Sequence, residues 1–495
     1  MSDSKKKRNN LNYLLTITLI LETLLSSFFS AGRSIVFKTL AVVFLGIIPS
    51  AYSSTVAIVD SGTDYKHEGL INNIWINEAE TPNNDRDEDR NGYQDDVYGW
   101  NFAESNNEVI DYSYLGILND DIKKFFLIQA KAMTGEATEE EMNWLRDRVS
   151  DNEFLKKLQI YGNFMHGTHV AGIAASESSD IKLLSVKLIP TEVKLPAEDE
   201  SDSDSSSSLT GDEQTPALLD GLKDKLIKKA LATLAKQQMK LLTEIAEYVG
   251  EHKSDVANGS FGTGYAQAKM LISAVADGLN LKLTEQEIKK YSIHFINELI
   301  KNGEDMVSES PKTLWVFAAG NDGTNNDELP SSPTNIQADN VISVAATIGF
   351  DIIAPFSNYG IKEVDVAAPG VSIYSTVPGD EYLSVSGTSQ AAPYVANIAG
   401  KIKDMNPKLM PKEMKKIIME SVDKRDDLAS LVKAGGIVNR ERAIKAAELS
   451  LTMSLEEAIT KSKLEVEDQV RGRLVEKGLN ITNLGILPLP SPFKL

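Results

Sequence analysis

An α/β fold is the class this 495-residue sequence predicts: a mostly parallel central sheet with helices on both faces, carrying helical insertions. Three observations point there. Short apolar runs recur without the alternation of a half-wet strand: Val56-Ala57-Ile58-Val59, then 314–319, 341–346 and 364–368. Between them lie stretches with leucine and isoleucine at helical spacing, above all 217–249 and 266–306. Several runs close on turn-forming or reactive residues, such as Asp60-Ser61-Gly62 and Gly320-Asn321. Open α/β sheets place their sites at those carboxyl ends of strands.

Composition narrows the function classes. The net charge of −20, from 51 basic and 71 acidic residues, argues against nucleic acid as a partner, and none is expected. The sequence contains no cysteine, which excludes disulfides, thiolate zinc sites and cysteine-linked lipid anchors.

Two apolar runs occupy the N-terminal region. The first, 11–30, follows the basic patch Lys5-Lys6-Lys7-Arg8 but contains Glu22. The second, 40–48, follows Arg33 and Lys38 and leads into the small-x-small site Ala51-Tyr52-Ser53. Its basic start, apolar centre and small-residue end have signal-peptide anatomy. Residues 1–53 are therefore read as a segment removed on export, which makes the protein secreted or periplasmic. The competing reading is a membrane hairpin, with membrane contact and anchoring only if the segment stays uncleaved.

The elements follow in order. Val56 to Val59 reads as a buried parallel strand ending on Asp60, an acid at the carboxyl edge; taken alone, Asp-Ser-Gly could be only a turn. The stretch 83–96 is acidic. Asp87, Asp89 and Asn91 alternate before Gly92, which is how a calcium loop begins, and Asp95 takes the ninth place. Tyr98 stands at the twelfth place, so the closing bidentate glutamate is absent, with Asp96 as its stand-in. Calcium with a structural role is the expected cation; a solvated acidic turn is the bland alternative.

Residues 111–161 read as a mostly helical insertion, with Thr138-Glu139-Glu140-Glu141 as a helix start. His166-Gly167-Thr168-His169-Val170-Ala171-Gly172 then reads as a tightly packed helix start with the His166 imidazole facing a cleft. Two histidines at i and i+3 without a neighbouring Glu or Cys make a poor zinc site. Residues 181–189 read as a strand. The serine-rich acidic stretch 196–216 has too little apolar area to offset its ordering entropy and is expected to be a disordered surface loop, open to limited proteolysis.

Val256 to Gly262 reads as a strand opening into a glycine-rich bend, and 394–405 as a helix. Just before that helix lies Gly387-Thr388-Ser389-Gln390-Ala391-Ala392-Pro393. A serine between small residues at a helix start is open to a substrate carbonyl and faces free backbone N–H groups and the positive end of the dipole. Serine is a poor nucleophile by itself, so this reading needs a base, an orienting acid and an oxyanion donor. A plain N-cap is the alternative.

Taken together, the Asp60, His166 and Ser389 blocks stand in the order Asp, His, Ser, and the chain resembles the subtilisin-like serine proteases (subtilases). The resemblance covers about 55–445 and implies a three-layer subtilisin-like fold. It also implies a serine endopeptidase that cleaves proteins or peptides through an acyl-enzyme and needs no cofactor for the chemistry. It implies Ser389 as nucleophile, His166 as base and Asp60 as the orienting acid. Asn321, in Ala318-Ala319-Gly320-Asn321, matches the family's side-chain donor to the oxyanion. Ser260, Phe261 and Gly262 match the segment whose backbone pairs with an extended substrate. The alternative within the family is an inactive binding protein, which would be expected to lack a triad residue.

The organisation that follows is 1–53 as the N-terminal segment and 54–445 as the catalytic domain, with insertions near 103–161, 190–255 and 265–310. Residues 446–495 form a helical tail ending in the proline-rich 487–495. Three departures from the family pattern stand out. Secreted relatives usually carry an N-terminal prodomain, and the six residues 54–59 expected ahead of Asp60 after cleavage leave no room for one. Gln390 follows the nucleophile where many relatives carry methionine, and Asp60 and His166 are 106 residues apart, long for the family.

Overall fold

The computed structural model describes residues 52–192, 217–278, 281–469 and 489–490. The apolar runs 11–30 and 40–48, the acidic stretch 196–216 and most of the proline-rich segment lie outside the described residues. In chain order the strands are β1 (Thr55–Asp60), β2 (Gly99–Asn101), β3 (Lys182–Lys187), β4 (Val256–Gly259), β5 (Leu314–Ala318), β6 (Val341–Thr347), β7 (Val366–Pro369), β8 (Ile373–Val377), β9 (Glu381–Val385), β10 (Asp423–Lys424) and β11 (Gly436–Ile437). The helices are α1 (Asp120–Thr134), α2 (Glu139–Val149), α3 (Asn152–Ala174), α4 (Ala217–Glu251), α5 (Tyr265–Gly278), α6 (Glu285–Ser308), α7 (Thr388–Met405), α8 (Pro411–Glu420), α9 (Arg440–Leu449) and α10 (Leu455–Glu465).

Among the described residues, nine strands make one sheet in the order β10-β11-β7-β6-β5-β4-β1-β3-β2. All pairings are parallel except β10 with β11. β1 lies between β3 and β4, with Val56 opposite both Leu183 and Val256. The period-2 geometry of a strand then splits each run between two cores. Val56 and Ile58 join one cluster with Phe164 and Val170 of α3 and Val395 and Ile398 of α7. Ala57 and Val59 join the other, with Ile245 and Val249 of α4 and Phe295 and Leu299 of α6. Leu314, Val316 and Ala318 of β5 go to the first core, Trp315 and Phe317 to the second. Continuous apolar runs are what a strand buried on both faces requires. The predicted three-layer α/β class is the observed one.

The insertion at 111–161 contains α1, α2 and the first part of α3. Thr138 caps α2 with a reciprocal Glu141 contact, as the predicted helix start requires. One boundary differs more. The helix around the histidine block does not start there: α3 begins at Asn152, capped by Asp151, and runs through His166 to Ala174. Gly167 and Gly172 read as helix-start residues in sequence, but in the structure they let other segments of the chain in. A Cβ on Gly167 would fall 2.2 Å from the Gly62 carbonyl oxygen, and one on Gly172 2.3 Å from Ser375 Oγ.

α7 likewise starts earlier than the predicted 394, at Thr388, with Pro393 inside its first turns. Proline has no N–H to donate to the carbonyl four residues back, that of Ser389. Ser260 Oγ donates to that carbonyl instead, at 3.0 Å. The substitution of donors lets the helix start ahead of Ser389 and ties it to the segment after β4. Of the predicted tail 446–495, the end of α9 and all of α10 are described; Ala458 and Ile459 of α10 are buried, and Ile459 joins the first core.

Candidate active site

Asp60 ends β1 at the carboxyl edge of the sheet and is 0% exposed. Its Oδ1 accepts from the Ser61 N–H at 2.7 Å and lies 2.6 Å from His166 Nδ1. Burying a carboxylate is costly unless it is hydrogen-bonded and paired, and both partners are supplied here. The turn after it explains the sequence Asp-Ser-Gly. Gly62 adopts φ +107°, and a Cβ there would overlap the Val109 carbonyl oxygen at 2.0 Å. Ser61 Oγ accepts from the Gly167 N–H at 3.1 Å, which sets α3 against this turn. Thr168 Oγ1 accepts from the Asp64 N–H at 2.9 Å, a second such tie. His166 is thereby held over Asp60 while remaining 8% exposed.

His169 has a different fate. It is fully buried, with Nε2 3.0 Å from the Leu383 carbonyl of β9, and burial pushes its pKa down to about 4. The unfolded chain takes up this proton near pH 6.5, the folded one only near 4. Stability is therefore intact above pH 6.5 and falls as the pH drops from there towards 4, because the unfolded state then binds more protons. The loss amounts to roughly 3 kcal/mol for this group. Urea unfolding at pH 7 and pH 4.5 should show His169→Asn losing less stability than the parent over that interval. Equal losses would place the acid sensitivity elsewhere.

Ser389 stands in the first turn of α7 and is 3% exposed, with Oγ 3.4 Å from the Ser260 carbonyl oxygen. Gly387 precedes the helix and offers no side-chain cap. Asn321 follows Gly320, whose φ of +118° turns the chain sharply after β5. A Cβ on Gly320 would meet Asn358 Nδ2 at 2.3 Å. The Asn321 Oδ1 accepts from the Thr388 N–H at 2.9 Å and from Thr388 Oγ1 at 2.8 Å. With its oxygen fixed in that way, Nδ2 faces the opposite side of the carboxamide. Thr388 is a positioning residue that sequence reasoning did not single out, although it adjoins Ser389.

Ser260, Phe261 and Gly262 extend from β4. Ser260 and Phe261 are fully buried, the former against Ser389 as described and the latter in the second core. The structure brings this segment, Asn321 and Ser389 together at the carboxyl edge of the sheet, with the Asp60–His166 pair on the neighbouring strand and helix.

The acidic loop is arranged differently from the predicted ligand set. Asp87 and Asp89 lie close to Glu80: one carboxylate oxygen from each falls within 4.8 Å of the others, a cluster that could hold a metal ion. Asn91 directs its amide at Asp89 and Asp96, at 3.4 and 3.1 Å. The carboxylate of Asp95 accepts from the N–H groups of Asn84 and Asp85. Asp96 is fully buried and accepts from Tyr248 Oη at 2.8 Å and Asn77 Nδ2 at 2.8 Å. Burial alone would raise its pKa, but bonds from His252, Tyr248, Asn77 and Asn91 together lower it. Glu80 is the residue the sequence missed. It precedes the loop, where a template counting forward from Asp87 does not look. Burial raises its pKa, and the nearby acids Asp96 and Glu88 add to that.

With this geometry in view, comparison with known proteins is direct. The profile of the Subtilase family matches residues 53–436. Subtilisin-like protease 1 of Plasmodium vivax is 23% identical over 399 residues, covering 79% of this chain and 47% of that protein. Thermophilic serine proteinase of Bacillus sp. (strain AK1) is 39% identical over 125 residues, or 25% of this chain and 29% of that one. Cell wall-associated protease of Bacillus subtilis (strain 168) is 42% identical over 110 residues, or 22% and 12%. The chain spans less than half the length of each of these relatives. It belongs to the subtilase family.

Proposed function

We propose that this chain is a serine endopeptidase that hydrolyses peptide bonds of proteins through an acyl-enzyme on Ser389. The observation that carries the reading is the buried Asp60 carboxylate 2.6 Å from His166 Nδ1, in a chain whose family profile spans the Asp60 and Ser389 blocks. Asp60 fixes the ring with Nδ1 towards itself, which leaves Nε2 to act as base. Nε2 takes the proton from Ser389 Oγ as Oγ attacks the scissile carbonyl. The resulting imidazolium, stabilised by Asp60, returns the proton to the leaving amine; water then releases the acyl group by the same route. The carbonyl oxygen, now negative, is received by the Asn321 amide and the Ser389 backbone N–H. The substrate lies extended along Ser260-Phe261-Gly262 and adds to it as a strand.

Asn321 gives a test that separates transition-state stabilisation from binding. Its hydrogen bond forms fully only when the carbonyl becomes tetrahedral. Asn321→Leu should lower kcat about 10² to 10³-fold with little change in KM, a magnitude borrowed from subtilisin, a member of this family. A variant with unaltered kcat on a peptide substrate would move the oxyanion donor elsewhere.

The acidic cluster suits a hard cation, because Glu80, Asp87 and Asp89 offer only carboxylate oxygens. Calcium held by Glu80, Asp87 and Asp89, with Asn91 alongside, would neutralise their repulsion and stabilise the fold; it takes no part in the chemistry. Chelator should then lower the melting temperature and added calcium restore it. A melting temperature indifferent to both would remove calcium from the account.

Export with cleavage after Ser53 is supported by the basic-apolar-small pattern and by the cell wall association in one relative's name. No described helix is long and apolar enough to cross a membrane. Mass spectrometry of the native N-terminus should find Ser54, whose N–H donates to Asp404 Oδ1 at 2.7 Å. Recovery of 40–48 in the mature chain would indicate an anchor instead.

A further inference from the structure

We infer that the chain's own segment Leu489-Pro490 is an intramolecular ligand of the substrate cleft, seated along Gly262 as an extended peptide substrate would be. The inference rests on the reading of Ser260-Phe261-Gly262 as the substrate strand. The Gly262 N–H donates to the Pro490 carbonyl at 3.0 Å. Gln267 Nε2 donates to the Leu489 carbonyl at 3.0 Å. The Leu489 side chain is 5% exposed and joins the first hydrophobic core. A Cβ on Gly262 would lie 3.2 Å from Leu489 Cδ1, so the absence of a side chain there lets the leucine close in.

The chemistry of this contact is that of strand addition. Main-chain bonds to an exposed N–H supply affinity, and a pocket for a side chain supplies selectivity. The next residue along, Thr263, exchanges both of its backbone bonds with Ser332 at 2.8 and 3.1 Å. That pairing fixes the strand on its far side and presents the Gly262 N–H to an incoming chain. Two residues upstream, the Ser260 carbonyl oxygen lies 3.4 Å from Ser389 Oγ. A peptide taking the Gly262 bond is therefore led towards the nucleophile. Proline at 490 contributes only its carbonyl and costs little to hold extended.

A tethered ligand needs little intrinsic affinity. At an effective concentration of about 1 mM, a contact with a Kd of about 0.1 mM keeps the cleft roughly nine-tenths occupied. Substrates then compete with the tether, and release of the tether should raise kcat/KM about tenfold through KM, with kcat unchanged.

The test compares the full chain with Leu489→Asp, which places a charge in the apolar seat, and with a chain from which 487–495 have been deleted. Three readouts are needed: kcat/KM on a chromogenic peptide, amide exchange at Gly262, and binding of a fluorescent peptide of sequence 485–495 in the Ser389→Ala background. The expected results are a gain of about tenfold in both altered chains and slow exchange at Gly262 only in the parent. The peptide should bind the deleted chain, and the full chain should exclude it. Unchanged kcat/KM in either altered chain that melts as the parent does, or fast exchange at Gly262 in the parent, would overturn the inference. Inhibition that grows with protein concentration would also overturn it, because the segment would then act between copies. If no form hydrolyses peptide yet the binding and exchange results stand, the proteolytic reading fails and the intramolecular ligand survives.

Discussion

Ser389→Ala is expected to lower kcat by roughly 10⁶, again a magnitude taken from subtilisin, with the melting temperature close to that of the parent. On the proposed mechanism the change removes the atom that forms the acyl-enzyme, so what remains is the acceleration over water from the oxyanion donors and substrate binding. The side chain is small, and its Oγ donates to the Ser260 carbonyl at 3.4 Å, its one hydrogen bond among the described residues. A parent-like melting temperature would therefore assign the loss to the missing hydroxyl and not to unfolding. Burst kinetics with an active ester should show one equivalent of fast product for the parent and none for the variant. Comparable turnover in the two proteins would exclude Ser389 as the nucleophile.

Asp60→Asn should lower kcat by roughly 10⁴ while leaving KM within a few-fold. On the proposed mechanism the carboxylate does two things: it holds Nδ1, 2.6 Å away, as the protonated ring nitrogen, and it offsets the charge that the ring acquires in the transition state. Asparagine keeps the volume and can still accept from the Ser61 N–H, a bond of 2.7 Å in the parent. It can also donate to Nδ1 and so favour the tautomer whose Nε2 carries a proton and is useless as a base. The variant should fold, bind substrate analogues and react slowly. A drop in kcat of less than tenfold would reduce Asp60 to a buried structural acid.

Much of this was legible in the sequence because Asp60, Asn321 and Ser389 sit at or just past the ends of elements, where a few adjacent letters carry the signal. Val56 to Val59 reads as a strand buried on both faces, and Asp60 is where it ends. The run into Gly320-Asn321 is read in the same way. The extent of α3 was not legible, because Gly167 and Gly172 are there to admit Gly62 and the β8–β9 hairpin, contacts the local sequence does not record. That hairpin was itself overlooked, although Pro378-Gly379-Asp380 between its strands is a turn signal. Glu80 was missed because the calcium-loop template counts forward from Asp87. Leu489 meets Gln267 across 222 residues of sequence, and no periodicity predicts such a contact.

The central claim is that Ser389 is activated by the pair Asp60–His166, and covalent labelling tests it most directly. A fluorophosphonate probe should label the parent stoichiometrically, and peptide mapping should place the adduct on Ser389. Asn321→Leu should label slowly, Asp60→Asn more slowly still, and Ser389→Ala not at all. Labelling of another serine, or a folded parent that resists the probe both with and without residues 487–495, would contradict the account.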